Sequence, residues 1–287
     1  MKKRLFIFLL IFCASFVIAL WLFNSDILPY KYKHFSELHR AKALLKDDVS
    51  KAVFDSTVEF HNKKQKLFLA DFDEYNHPIV KIHEGDVVID GGVSKDLTTT
   101  VDMLNRAGTT GKVIGFEPDK TVLKELYSKA KKYPNLTIYP YGLWDKKETK
   151  TMYLNILPDG CYNGSASVVI DLPFIPQEKK QKIDVELVKF DDFAKENNIG
   201  KVDFIKLDIE GAELQALQGA EETLKKNKPN LAVSVYHLDS DLYSIILYLN
   251  SLNLGYKYWL VLHPPADELI RNVLLYATVR DKQADNQ

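Results

Sequence analysis

The chain has 287 residues, of which 46% are apolar and 27% charged, and its formal net charge is -1. That length buries a full core, as one catalytic-size domain with an appendage. Lysines and arginines are spread along the chain and no basic tract forms, so no nucleic-acid partner is expected. The two cysteines, Cys13 and Cys161, lie far apart, one of them inside an apolar N-terminal run, and no intramolecular disulfide is expected.

Met1 to Arg4 is basic, and Leu5 to Phe23 is an almost unbroken apolar run with Ser15 as its clear polar member. At helical rise it reaches the roughly 20 residues that cross a hydrocarbon core. It exceeds the apolar stretch of a secretory signal, and no small-x-small site follows it. The expectation is therefore a single-pass anchor over residues 1–23, with the lipid bilayer as a partner and a membrane localisation. Its side stays open, because Lys2, Lys3 and Arg4 compete with Lys31, Lys33, Arg40 and Lys42 across the run. A juxtamembrane linker is expected over 24–35 and a helical extension packed on the catalytic domain over 36–80. In that extension Ser36 caps a helix carrying Leu38, Ala41, Leu44 and Leu45, and a second helix covers Val49 to Phe60.

The chemistry of the chain is to be sought in residues 81–280, the expected catalytic domain. Val87 to Asp90 reads as a buried strand, Gly91 and Gly92 allow a sharp turn, and Thr98 opens a helix. Val113 to Phe116 is a second strand ending on Glu117. This is the order of a βαβ nucleotide crevice. Glu117 is either a solvated helix-capping acid or the acceptor of two hydrogen bonds from a ribose diol. Asp96 stands where a third glycine of the dinucleotide fingerprint would be sought, which leaves room for a nucleoside without phosphates.

Lys120 to Lys132 follows as a helix and Leu136 to Tyr139 as a strand, so the alternation points to a doubly wound α/β sheet. Met152 to Leu157 and Val185 to Val188 are further strands. Between them Pro158 to Pro176, with Asn163, Gly164 and Ser165, reads as a long loop that either covers a ligand or is a surface insertion. Val202 to Leu207 is a strand that delivers Asp208, Glu210 and Glu213 into a turn and a helix from Ala212 to Leu224. Leu231 to Val235, a helix from Asp241 to Leu249, and an antiparallel pair from Tyr256 to Leu262 and Val273 to Thr278 complete the domain, and a disordered tail is expected over 281–287.

Ligands of open α/β sheets collect beyond the carboxyl ends of the strands, where Asp90, Glu117, Asp208 and His237 all fall. Asp208 ends the apolar run FIKLD, and an acid there needs a ligand, water or donors to offset its desolvation. Glu210 and Glu213 either favour a helix N-terminus or line an acceptor pocket. Three acids with no histidine at metal-ligand spacing give no expected metal centre. His237 and His263 are either polar rim residues or proton acceptors for a hydroxyl.

On these segments the sequence resembles the FkbM family of S-adenosylmethionine-dependent methyltransferases. VVIDGG at Val87 to Gly92 resembles its first cofactor motif, GFEP at Gly115 to Pro118 its ribose-binding acidic motif, and FIKLDIEGAELQALQGA at Phe204 to Ala220 its most recognisable segment. YHLDSDLYSIILYL from Tyr236 and VLLYA from Val273 extend the likeness to roughly Ser36 to Arg280. The resemblance implies a Rossmann-like class I methyltransferase α/β fold, mainly parallel with a reversed last strand, here preceded by the helical segment and the transmembrane helix. It implies S-adenosyl-L-methionine as cofactor, held by Asp90, Gly91, Gly92, Glu117, Gly142 and Asp208, with Asp208 and His237 at the reacting centre. It implies methyl transfer to an oxygen of a sugar on a glycan, glycolipid or related small molecule. Asp96 and Leu97 stand where the family commonly has glycine followed by an acid, and Leu262 where an arginine is frequent. The competing functions are a membrane-tethered scaffold without turnover and an NAD-dependent sugar enzyme; the latter lacks a Tyr-x-x-x-Lys pair and a complete glycine pattern.

Overall fold

The computed structural model describes residues 33–58, 69–156, 162–169, 180–264 and 272–280. Their apolar strands, too uniformly hydrophobic for one wet face, assemble into a sheet buried on both sides. It comprises β1 (Val87–Gly91), β2 (Lys112–Phe116), β3 (Leu136–Tyr139), β8 (Phe204–Leu207), β9 (Asn230–Ser234), β10 (Lys257–Leu262) and β11 (Val273–Thr278) in the order β10-β11-β9-β8-β1-β2-β3. The pairs from β3 through β9 are parallel, whereas β11 runs antiparallel to both β9 and β10. Alternation along each strand splits the core in two. Val88, Val113 and Phe204 pack on one face with α3 (Thr98–Ala107) and α4 (Lys120–Ala130). Ile89, Ile114 and Ile205 pack on the other with α8 (Asp241–Ser251).

Between β3 and β8 the chain builds a second sheet, in the order β4-β7-β5-β6, from β4 (Gly142–Trp144), β5 (Glu148–Ile156), β6 (Tyr162–Ser167) and β7 (Lys180–Lys189). Asn163, Gly164 and Ser165, read from sequence as loop, are residues of strand β6 that fall in a register shift against β5, between the Leu154–Ala166 and Ile156–Tyr162 pairs. Their turn propensity is accommodated in that irregularity, with pairing on either side of it. One face of this sheet, with Met152, Leu154, Val185 and Leu187, packs toward Ala212. After α5 (Phe190–Glu196) and β8, the expected single helix is two, α6 (Glu213–Gly219) and α7 (Glu221–Asn227). The break follows Gly219, where an added Cβ would lie 1.9 Å from the Trp144 carbonyl oxygen, so the backbones meet too closely for a side chain.

The extension contributes α1 (Phe35–Ala43) and α2 (Asp48–Val58). Ser36 does not cap α1; the N-cap is His34, whose side chain makes no capping bond, and the Ser36 hydroxyl turns to Glu37. The extension instead covers the outer edge of β10. Lys46 N donates to Tyr258 O (3.0 Å), Leu260 N donates to Ser50 Oγ (3.0 Å), and Ala70 N donates to Leu262 O (2.9 Å). An open edge strand is thereby shielded from pairing with another chain.

The expected membrane helix needs correction. Among the described residues no helix is long and apolar enough to cross a membrane, and Leu5 to Phe23 lies outside those residues. What is supported is the Rossmann-like α/β fold, with no membrane-spanning helix among the described residues, and the anchor, bilayer partner and membrane localisation have no support there. Cys13, Cys161 and the tail 281–287 also lie outside the described residues.

Candidate active site

A cleft of about 450 Å³ opens beyond the carboxyl ends of β1, β2 and β8, with the apolar face of the second sheet as its far wall. Its polar lining includes Ser94, Glu117 and Asp208, its apolar lining Phe116, Met152 and Leu187. That volume falls in the range of small-molecule sites. Gly92, Gly142 and Glu210 also face it.

The glycine turn after β1 is dictated by close approach. Gly92 has φ +84°, and a Cβ there would stand 2.0 Å from the Asp208 carbonyl oxygen. Gly91 sits beneath the cleft, where a Cβ would meet Leu207 Cδ2 at 2.8 Å, and at Gly142 a Cβ would meet Leu187 Cδ2 at 2.5 Å.

Asp90 does not line the cleft; it is fully buried below it. Parallel register sets it directly across from Lys206 of β8. Lys206 Nζ lies 3.0 Å from Asp90 Oδ1 and donates to the carbonyls of Gly91 (2.9 Å) and Gly92 (2.6 Å), while Thr100 Oγ1 donates to Asp90 Oδ2 (2.7 Å). Asp90 thus holds the cation that ties down the glycine turn. Burial alone would lower the Lys206 pKa, but Asp90 and Asp208 outweigh it and raise it.

Glu117 enters the cleft from the end of β2, and its Oε1 accepts the Asp119 N–H (2.8 Å). Burial pushes its carboxyl up to about 8 against that single backbone bond. The helix-capping role falls instead to Asp119, whose Oδ1 accepts Thr121 N–H at the start of α4.

Asp208 follows β8 directly, at the carboxyl edge of the sheet. Tyr75 and Tyr236 hydroxyls both donate to it at 3.3 Å. Burial pushes the Asp208 carboxyl up, but Lys206 and then His237 outweigh this and hold it below the ordinary carboxylate range. His237 stands behind, with its side chain 6% exposed: Nδ1 is 2.9 Å from Glu213 Oε1, and Nε2 is 3.5 Å from Asp208 Oδ1 and 3.6 Å from Glu210 Oε2. Burial would lower the imidazole pKa, yet Glu213, Asp208 and Glu210 together raise it to about 9. Glu213 is itself fully buried and fixes the turn, its Oε1 accepting Ile209 N–H (2.8 Å) and its Oε2 Gly211 N–H (3.0 Å). His263 lies apart from this group, its Nε2 2.9 Å from the Tyr276 hydroxyl.

The structure therefore brings Gly92, Glu117, Gly142 and Asp208 to one cleft, sets Asp90 and Gly91 under it, and places His237 behind Asp208. Sequence reasoning missed Lys206, whose signal was a lone lysine inside the buried run FIKLD. It also missed Tyr75, which reaches Asp208 from the extension and carries no local motif.

The strand order with its reversed β11, the glycine turn after β1 and the acid ending β2 are those of a Rossmann-like methyltransferase fold. The family model described as the methyltransferase FkbM domain matches residues 86–258. The chain belongs to the FkbM methyltransferase family. A crystal structure of methyltransferase FkbM from Methylobacillus flagellatus KT is similar with a TM-score of 0.56 at 21% identity, over 86% of this chain and 59% of that one. The chain thus spans less than two thirds of that protein. Aeropyrum pernix fibrillarin, in complex with natively bound S-adenosyl-L-methionine, aligns with a TM-score of 0.40 at 12% identity over 69% of this chain and 68% of its own. A SAM-dependent methyltransferase from Aquifex aeolicus aligns with a TM-score of 0.38 at 15% identity over 85% of this chain and 98% of its own. Among curated proteins no sequence matches the chain.

Proposed function

We propose that the protein methylates a hydroxyl of a sugar, on a glycan or a related small molecule. The observation that carries this reading is the polar rim at the reacting end: Asp208 and Glu210 face the cleft, and two tyrosine hydroxyls are gathered on Asp208. Carboxylates accept hydrogen bonds from a polyhydroxylated acceptor and repel a carboxylate or phosphate one.

The cleft's residues fit the cofactor. Glu117 is a half-buried carboxylate with one backbone donor, and a ribose diol would supply the further donors that favour its anion. Gly92 lets the turn after β1 lie against the Asp208 backbone, where a Cβ would stand 2.0 Å from its carbonyl oxygen, and so sets the floor of the methionine end. Gly142 keeps the wall formed by Leu187 close to the cleft. The bound cofactor supplies a methyl already made electrophilic by its sulfonium, so the protein's task is alignment and exclusion of water.

In this reading Asp208 accepts the hydrogen bond of the acceptor hydroxyl, orients its oxygen, and takes its proton as the S–CH3 bond breaks and the O–CH3 bond forms. His237, expected from sequence as a base, carries its own proton at neutral pH in this arrangement and acts as the cation that steadies Asp208 and Glu210. The test is incubation with labelled S-adenosylmethionine and a panel of sugars and glycans, with mass analysis of labelled products. A methyl ether on a glycosyl group is the expected result. Asp208→Asn should lower turnover by about 100-fold, within the range for positioned proton-transfer groups, with cofactor binding retained. Label found only on carboxylates or nitrogens, or full turnover by Asp208→Asn, would overturn the reading.

A further inference from the structure

We propose that His237 Nε2, Asp208 and Glu210 form a binding site for a first-row divalent cation, with Glu213 as the carboxylate that orients the imidazole. His237 Nε2 makes no hydrogen bond although the side chain is only 6% exposed, and it aims between two carboxylates. Its separations from Asp208 Oδ1 (3.5 Å) and Glu210 Oε2 (3.6 Å) are long for hydrogen bonds. They approach the spacing of atoms that share a metal, since ligands about 2.1 Å from one ion lie roughly 3.0 to 3.4 Å apart. Ligand-type atoms of Asp208, Glu213 and His237 all fall within 4.8 Å of one another.

Glu213 is the orienting member, because its two oxygens are taken by the N–H groups of Ile209 and Gly211 while Oε1 also faces His237 Nδ1. A carboxylate on one ring nitrogen with the other directed at anionic ligands is the arrangement that fixes a metal-binding histidine. The turn is shaped to match: Glu210 is held at φ +56° and Gly211 at φ +96°, a left-handed pair that returns Glu210 toward the imidazole. Charge points the same way. Three carboxylates surround His237. A bound cation would displace the Nε2 proton, leaving His237 neutral and taking over the charge that steadies Asp208 and Glu210.

One imidazole with two carboxylates suits Mn²⁺, Fe²⁺ or Zn²⁺ better than Ca²⁺. Asp208 and Glu210 line the cleft, so the remaining coordination positions face it. Resting on the hydroxyl reading above, those positions would take acceptor oxygens, which favours a sugar presenting two neighbouring hydroxyls.

The test uses the full chain, stripped with EDTA and dialysed, then titrated with Mn²⁺ while free Mn²⁺ is followed by electron paramagnetic resonance. One Mn²⁺ per chain, displaced by Zn²⁺, is expected. His237→Ala and Glu210→Gln should each weaken binding by at least about tenfold, while Glu117→Gln leaves it unchanged. Absence of stoichiometric binding, or binding that both ligand variants retain at full affinity, overturns the site. If His237→Ala fails to fold by circular dichroism, Glu210→Gln, at a partly exposed position, decides alone. Neither methyl donor nor acceptor is present, so failure here leaves the hydroxyl reading standing, and failure of that reading leaves this site standing.

Discussion

Replacing Lys206 by methionine keeps the length and shape of the side chain and removes its charge. Asp90 then remains fully buried with one donor, Thr100, and the carbonyls of Gly91 and Gly92 lose the ammonium that bridges them. Removing one partner of a buried pair costs about 3 to 5 kcal/mol, because an uncompensated charge is left behind. Against a total stability of roughly 5 to 15 kcal/mol this is a large loss. At about 2 to 4 °C per kcal/mol for a domain of this size, Tm should fall by roughly 6 to 20 °C. The companion variant Asp90→Asn/Lys206→Met removes the stranded charge and keeps an acceptor for Thr100, so it should recover much of the loss. Urea unfolding followed by circular dichroism measures both. A single variant within about 1 kcal/mol of the parent, or a double variant no more stable than the single, would refute the claim that this ion pair holds the glycine turn.

Gly92→Ala places a Cβ 2.0 Å from the Asp208 carbonyl oxygen at a φ of +84°; cofactor affinity measured by calorimetry should drop by at least about tenfold, whereas Gly200→Ala, with nothing within 4 Å, should bind normally. Glu117→Gln should also weaken cofactor binding by roughly tenfold, the worth of a hydrogen bond to a charged group. The same variant has a pH signature. Burial raises the folded pKa of Glu117 from 4.5 to about 8, so the native state holds a proton that the unfolded chain has released. Native stability therefore falls as pH rises from 4.5 toward 8 on account of this group, and is flat in it above 8. Glu117→Gln should gain on the parent across that window in urea unfolding, and parallel curves would dismiss the raised pKa.

The central sheet was legible because its strands are apolar on both faces and punctuated by Gly91, Gly92 and the acids that end them. The alternation from Val87 to Thr278 carried the order of elements, and FIKLD placed Asp208 at a strand end. The second sheet was less legible, since Asn163, Gly164 and Ser165 have turn chemistry and sit within β6 at a register shift, flanked by the Leu154–Ala166 and Ile156–Tyr162 pairs. The grouping of His237 with Glu213 could not be read from spacing: the two residues lie 24 apart and meet only because β8 and β9 are neighbours. Likewise Asp90 and Lys206 are 116 positions apart, 206 minus 90, and parallel register alone makes them opposite. The membrane helix was read from local apolarity, which needs no tertiary partner, and the described residues lend it no support.

The covering of β10 by the extension sets an order on biosynthesis. Leu45 bridges to Tyr258 and Leu69 to Leu262, so helices made early dock on a strand made late. Roughly 200 residues separate each pair, and at about 5 to 20 residues per second the ribosome takes on the order of 10 to 40 s to supply the partner. During that interval α1 and α2 have no strand to lie against, and their apolar faces, with Leu38, Ala41, Val53 and Phe54, are open to chaperones or to a neighbouring nascent chain. The final latch of the domain is therefore its early-made end, closed only after β10 has been laid into the sheet.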